Sequence, residues 1–278
     1  MAYGRRSFEN TASRAKFIFF MFALLMVYAM ISAISQNQTA NKPSKKPAKL
    51  APGATTPQKP VVATTSHNWP PPARDKAEMA QDLLAKNYLV IFDGSGSMTE
   101  TKCSGSLTKI QAARKAVIEF LDSLDPAANA GLVAFGKSSG KTITSRHKFV
   151  SADKEGIKRI MHEMVASGNT PLVRSMGMGF EMLQEQAQRQ GGYGEYHMVI
   201  VTDGEASDGN PANMARKIVL SSPVIINAIG FCLNGKHSLD VDGYTKFSVA
   251  NDPAALSAGL KGVLAESESF DTDTFVVQ

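Results

Sequence analysis

Cysteine is scarce in this chain: Cys103 and Cys232 are the only two among 278 residues. Two thiols cannot staple a disulfide scaffold, and neither lies in a C-x-x-C pair, so zinc-finger and thioredoxin-like chemistry have no footing. Catalytic signatures are missing too. The chain has no H-E-x-x-H, no phosphate-binding P-loop and no G-x-S-x-G elbow, and the glycines at 177 and 191–194 form no dinucleotide fingerprint. His147, His162 and His197 are scattered over an edge strand, a helix and a buried strand start, where exposure or core packing explains them better than catalysis. The folded part also lacks a basic face. The formal charge is +5, but residues 1–16 set four basic side chains against Glu9, and residues 36–78 set seven against Asp75 and Glu78. Those two segments contribute +3 and +5, leaving about −3 for everything after Glu78, so no nucleic-acid partner is expected.

What is present divides the chain into parts. Hydrophobic residues make up 43% of 278, enough for one substantial domain with extensions. After a short basic tail at 1–16, Phe17–Ile34 runs without a charge. At about 1.5 Å per residue, a helix of that length reaches about 27 Å, close to the hydrocarbon thickness of a bilayer. Residues 17–35 therefore read as an N-terminal transmembrane helix. The alternative is a cleaved signal peptide with small residues at Ala33 and Ser35, although an apolar segment of that kind usually runs only about 7–15 residues. Arg5, Arg6, Arg14 and Lys16 abut the span and suggest that the N-terminus is inside; Lys42, Lys45, Lys46 and Lys49 weigh on the other side. Residues 36–78, rich in Pro, Lys, Ala and Thr, read as an extended linker. Within it, Trp69 precedes three prolines and reads as incidental or as packed on the domain edge.

From 79 to 266 the pattern alternates between strands and helices. Apolar runs at Tyr88–Phe92, Gly131–Phe135, His197–Thr202 and Val224–Ile229 read as buried parallel strands, Arg146–Val150 as an edge strand and Lys246–Val249 as a short one. Helical spacing marks Lys109–Leu124, Asp153–Val165, Leu172–Ala187, Ala212–Leu220 and Pro253–Leu264. Thr170 before Pro171 reads as the N-cap of the third of these. The fold class is α/β: a Rossmann-like, doubly wound, mostly parallel sheet with helices on both faces. Asp240 and Asp242 before Gly243 read as a polar hairpin turn, because their spacing fails the EF-hand pattern. The segment 267–278 reads as a tail that pairs along its own domain or frays.

Three segments fall where such a sheet gathers a ligand, outside the carboxyl ends of its strands. They are Asp93-Gly94-Ser95-Gly96-Ser97 after the first strand, Gly168-Asn169-Thr170-Pro171 opening a helix, and Asp203-Gly204-Glu205 after HMVIVT. Asp93, Ser95, Ser97, Thr170 and Asp203 all offer oxygen, which suits Mg²⁺, Mn²⁺ or Ca²⁺ and disfavours zinc. Gly94 reads as adding flexibility to the turn. Each segment alone is an ordinary turn or helix start; their joint occurrence is the signal.

The D-x-S-x-S element at Asp93, Ser95 and Ser97, followed by Thr170 and Asp203, resembles the von Willebrand factor A family, over roughly Asn87 to Ala265. The resemblance implies a complete metal-ion-dependent adhesion site. In it Ser95 and Ser97 coordinate directly and Thr170 does so in the ligand-competent form, while Asp93 and Asp203 act through water or hydrogen bonds. A cation held mostly by neutral hydroxyls keeps charge for an incoming carboxylate, so the expected partner is a protein presenting an Asp or Glu. The expected role is a non-enzymatic one in adhesion, assembly or scaffolding, with the domain in the periplasm or outside a bacterial cell. Two alternatives stand: a metal-assisted hydrolase with Asp203 or Glu205 as base, and a structural tether whose site is occupied but binds nothing. Cys103, in the loop leaving the first turn, and Cys232, after VIINAIGF, belong near one edge of the sheet. They are a possible disulfide in an oxidising compartment, or else two unrelated thiols.

The topology has a direct test. Protease added to intact spheroplasts is expected to cut the Pro/Lys-rich linker and release the domain; protection until the membrane is broken would reverse the orientation.

Overall fold

The computed structural model of the chain describes residues 69–73, 78–138, 141–150, 154–233 and 235–268. The basic tail 1–16, the expected span at 17–35, the linker up to residue 68 and the end of the tail from 269 lie outside the described residues. Among the described residues no helix is long and apolar enough to cross a membrane.

Six strands form one sheet: β1 (Lys86–Asp93), β2 (Asn129–Ser138), β3 (Lys141–Val150), β4 (Glu195–Thr202), β5 (Ile225–Phe231) and β6 (Lys246–Ala250). Their order is β3-β2-β1-β4-β5-β6, with β3 antiparallel to β2 and the other five parallel. Among the described residues the α-helices are α1 (Lys109–Ser123), α2 (Lys154–Glu163), α3 (Leu172–Arg189), α4 (Pro211–Ser221) and α5 (Pro253–Glu268). The apolar runs become central strands because successive side chains alternate between two covered faces. Tyr88, Val90 and Phe92 enter a core with Val117, Phe120 and Leu121 of α1, Ile157 and Met161 of α2, and Leu256 and Leu260 of α5. Leu89 and Ile91 enter the opposite core with Leu172, Met176 and Leu183 of α3 and Ala215 and Ile218 of α4. Chain order reverses between β1 and β4, so the crevice of this doubly wound sheet opens at their carboxyl ends.

Several expectations need correction. The helix expected over Asp153–Val165 stops at Glu163, because Val165 turns back to exchange two backbone hydrogen bonds with Lys137 at 2.8 and 2.9 Å. The segment around Asp240 and Asp242 is not a hairpin: β5 and β6 are parallel, so it is part of a crossover loop. Gly243, at φ +76°, serves a local turn within Val241–Thr245. Gly94 is a close-approach position and not a source of flexibility. A Cβ there would lie 2.5 Å from the Phe135 carbonyl oxygen, and one on Gly136 would lie 2.7 Å from the Gly94 oxygen. The turn after β1 and the end of β2 thus pass each other backbone to backbone.

Residues 69–73, inside the segment read as linker, lie on the domain. The Trp69 ring stacks on Phe180 at 6.2 Å and meets Tyr196 edge-on at 5.3 Å, while Gln188 Nε2 donates to the Pro71 carbonyl at 3.0 Å. The folded unit therefore begins ahead of residue 79. Trp69→Ala should lower the unfolding free energy by about 2 kcal/mol, less than a fully buried aromatic would cost because the ring is only partly covered. Chemical denaturation of the two proteins measures it, and an unchanged midpoint would show that this contact contributes nothing.

Candidate functional site

β1 and β4 deliver Asp93 and Asp203 side by side at the open crevice. Asp93 is wholly buried, and both of its oxygens are engaged. Oδ1 accepts the Ser95 backbone N–H at 2.7 Å, which folds the turn back over the strand end, and Oδ2 accepts the Thr202 hydroxyl at 2.6 Å. Burial pushes the Asp93 carboxyl above the usual carboxylate range; the hydrogen bonds from Thr202 and Ser95 oppose that, and nearby Asp203 adds to it. A buried anion beside a second anion is a place where positive charge is favoured.

The turn after Asp93 enters a single turn of 3-10 helix at Gly96–Thr99. It sets the Ser95 and Ser97 Oγ atoms 3.1 Å apart. Ser97, the exposed member of the pair, donates its hydroxyl proton to Asp203 Oδ1 at 2.6 Å. With that proton spent, its lone pairs are left for a donor or a cation. Gly96 N–H donates to the Gly168 carbonyl at 2.9 Å, and Ser167 N–H to the Gly94 carbonyl at 2.8 Å, which brings the Thr170 segment alongside.

Thr170 does not cap α3 as expected. The residue before the helix is Pro171, with no side-chain cap of its own. The exposed N–H groups of Val173 and Arg174 donate instead to Asp208, at 3.0 Å to Oδ1 and 2.8 Å to Oδ2. Ser207 N–H also donates to the Thr170 carbonyl at 2.9 Å. The loop after β4 thus does the capping, and the Thr170 hydroxyl, in a buried residue, has no hydrogen-bond partner among the described residues. Spared from the helix end, it is available to the crevice.

Asp93, Ser95, Ser97 and Asp203 therefore meet at one crevice with the Thr170 segment alongside, and oxygens of this kind suit a small hard cation. Metal–oxygen bonds of about 2.1 Å place neighbouring corners of an octahedron about 3.0 Å apart. The Ser95–Ser97 contact of 3.1 Å is a hydrogen bond whose length also suits that edge, and the 2.6 Å contact from Ser97 to Asp203 is a second hydrogen bond. Hydroxyls as direct ligands with carboxylates behind them agree with these distances. Among the described residues no three His, Cys, Asp or Glu side chains gather as a metal group, so a cation here would depend on the hydroxyls.

Sequence reasoning missed Lys109. It is the first residue of α1, whose start is fixed by a capping box between Thr108 and Gln111. Its side chain is only 5% exposed, and Nζ donates to Asp203 Oδ2 at 2.9 Å and Glu100 Oε2 at 2.7 Å. Burial works against its charge, but the hydrogen bonds and charges of Glu100 and Asp203 outweigh that and hold the ammonium above its ordinary range. A signal was present: a lysine in a helix's first turn opposes the macrodipole and calls for an explanation. Asp208 and Thr202 had no comparable mark.

Cys103 and Cys232 are joined, with Cα atoms 6.0 Å apart across 129 positions of sequence. The bond ties the loop between the 3-10 turn and α1 to the end of β5. Both residues have positive φ, 58° and 60°, a region that costs a non-glycine residue about 1–2 kcal/mol. The chain-entropy account assigns a closed loop of this size about 4–5 kcal/mol. Glu205, the other carboxylate of the third segment, turns to Ser238, accepting from its N–H at 2.9 Å and from its hydroxyl. His197 is buried toward the other end of β4, stacked on Tyr88 at 4.8 Å.

Known proteins place this geometry. The family model for the von Willebrand factor type A domain matches residues 88–205. The uncharacterized protein YwmD of Bacillus subtilis is 30% identical over 157 residues, which cover 52% of this chain and 67% of that protein. The chain thus spans about two-thirds of the length of its Bacillus relatives. Among solved structures, the pilus adhesin SpaC of Lactobacillus rhamnosus GG superposes with a TM-score of 0.52 at 16% identity, covering 68% of this chain and 31% of that one. Proximal thread matrix protein 1 from the mussel byssus, solved with a zinc-occupied MIDAS motif, gives 0.51 at 20% identity, over 67% and 48% of the two chains. At such identities these likenesses concern the fold. With the family model matched over residues 88–205 and the same fold in these structures, the chain belongs to the von Willebrand factor type A domain family.

Proposed function

We propose that this domain binds a protein partner through a divalent cation held by Ser95, Ser97 and Thr170, with Asp93 and Asp203 acting from behind through hydrogen bonds. The observation that carries the reading is the disposition of the hydroxyls. Ser95 and Ser97 stand at an octahedral edge distance, and Thr170 is released from helix capping by Asp208. Oxygen-only ligands favour Mg²⁺, with Mn²⁺ or Ca²⁺ as substitutes. When bound, the cation supplies unneutralised positive charge at the crevice mouth, where an Asp or Glu carboxylate of the partner is its natural complement.

Binding fits the site better than catalysis. A hydrolase needs a base free to take a proton. Asp203 is held by Ser97 and Lys109, and Glu205 is engaged by Ser238, so both candidates are already committed. The charge-free run at 17–35 and the linker after it would place the domain on the outer face of a membrane, as a tethered adhesion, assembly or scaffold module.

Two measurements test this. Calorimetry with Mg²⁺ or Mn²⁺ should show Ser97→Ala binding at least tenfold more weakly than the parent, with the fold kept and the melting temperature somewhat lowered, because buried Asp203 Oδ1 loses its donor. Equal affinity would remove Ser97 from the ligand set. A partner captured with the full chain should be lost in EDTA, lost with Thr170→Ala, and lost when one particular acidic residue of that partner becomes its amide. A partner retained through all three would show that the crevice is not where it binds.

A further inference from the structure

Lys109 sits where local rules disfavour it. It occupies the first position of α1, its ammonium lies against a helix N-terminus that already carries positive partial charge, and its side chain is nearly buried. A lysine kept there for solubility would point outward, and one kept for packing would not carry its charge inward. Two carboxylates hold it, and they differ: Glu100 is 55% exposed, whereas the Asp203 side chain is fully buried. Asp203 Oδ2 takes the ammonium while Oδ1 takes the Ser97 hydroxyl. One carboxylate therefore stands between an internal cation and a residue of the ligand set.

Resting on the reading that the hydroxyls hold a divalent cation, we propose that Lys109 is a built-in second cation which weakens metal binding and reserves the loaded site for an anionic ligand. With Asp93 a carboxylate that accepts from the Ser95 N–H and the Thr202 hydroxyl, the charges around the crevice are those of Asp93, Asp203 and Glu100 on one side and Lys109 on the other, a net of −2. A divalent ion with Lys109 absent would find −3 and leave the site negative. With Lys109 present the loaded site is neutral within the protein, and Glu100, screened by water, offsets it least. Inside the crevice the balance is the divalent ion and Lys109 against Asp93 and Asp203, an excess of +1 that a single carboxylate from outside cancels. Lys109 thus spends part of the site's affinity for metal on selectivity for what the metal binds.

The experiment uses the full chain and Mn²⁺ alone, with free ion read by electron paramagnetic resonance. Lys109→Met removes the charge and keeps most of the stem; Mn²⁺ should then bind on the order of tenfold more tightly. Acetate, added to the Mn²⁺-loaded proteins and followed by water-proton relaxation, should bind more weakly to Lys109→Met than to the parent. Glu100→Gln, at an exposed position that leaves the fold intact, concentrates Lys109 on Asp203 and should weaken Mn²⁺ binding several-fold, an effect that shrinks in the Lys109→Met background. If Lys109→Met folds yet binds Mn²⁺ no more tightly than the parent, Lys109 only positions Asp203 and the proposal is overturned. Should Lys109→Met fail to fold, Lys109→Gln decides: tighter Mn²⁺ binding supports the proposal and unchanged binding overturns it. A parent that takes up no Mn²⁺ overturns the cation site itself, an outcome distinct from a parent that binds and variants that do not differ.

Discussion

The buried carboxylate of Asp203 is the contact on which the crevice depends. It follows β4 directly, yet its two oxygens reach the turn after β1 through Ser97 and the start of α1 through Lys109. These segments are far apart in sequence and meet because chain order reverses between β1 and β4. Removing such an acceptor leaves the buried ammonium of Lys109 with Glu100 alone and frees the Ser97 hydroxyl, a heavier cost than losing a surface pair.

A second layer of contacts keeps the ligand-bearing groups from being consumed by the backbone. Helix starts leave N–H groups that any nearby oxygen will satisfy. Thr170 stands beside such a start and has the side chain to cap it. Asp208 from the loop after β4 takes Val173 and Arg174 instead, so the same loop supplies the site's buried acid and releases its threonine. Asp93 is fixed in the same way by Thr202 and the Ser95 amide, which stops it from swinging toward the crevice. Glycines at 94 and 136 complete the arrangement by letting two backbones pass where side chains would collide.

How much of this was legible in the sequence follows from how local each signal is. The central strands were legible because burial on both faces turns them into unbroken apolar runs, and α1, α3 and α4 because one stripe faces the sheet. Asp93, Ser95 and Ser97 share one turn, so their spacing carries their grouping. Thr170 and Asp203 both lie at the edge the sequence indicates, but the cap reading of Thr170 fails, since Thr-Pro before a helix is locally a cap and only Asp208, 38 positions on, makes it otherwise. Lys109 left a local mark at the helix start, but its meaning depends on Asp203, 94 positions on, which the fold brings to it. The extent of β3 and the seat of Trp69 on Phe180 and Tyr196 likewise depend on distant contacts that composition does not encode.

The loop from Glu100 to Thr108 shows how this crevice can be firm before any ligand arrives. It carries Glu100 at one end and the cap of α1 at the other, and Lys109 N–H closes it by donating to the Glu100 carbonyl at 2.7 Å. Such a loop would be free to open, because its residues contribute little to either core. The bond from Cys103 to Cys232 prevents that by anchoring its middle to the end of β5, and Cys232 is in turn held by the Ala250 carbonyl of β6. Both cysteines occupy a backbone region that costs stability, so the bridge trades local strain for the position of the loop. Under the proposed function a ligand would then meet oxygens already in place, with the ordering cost that would otherwise weaken binding met during folding.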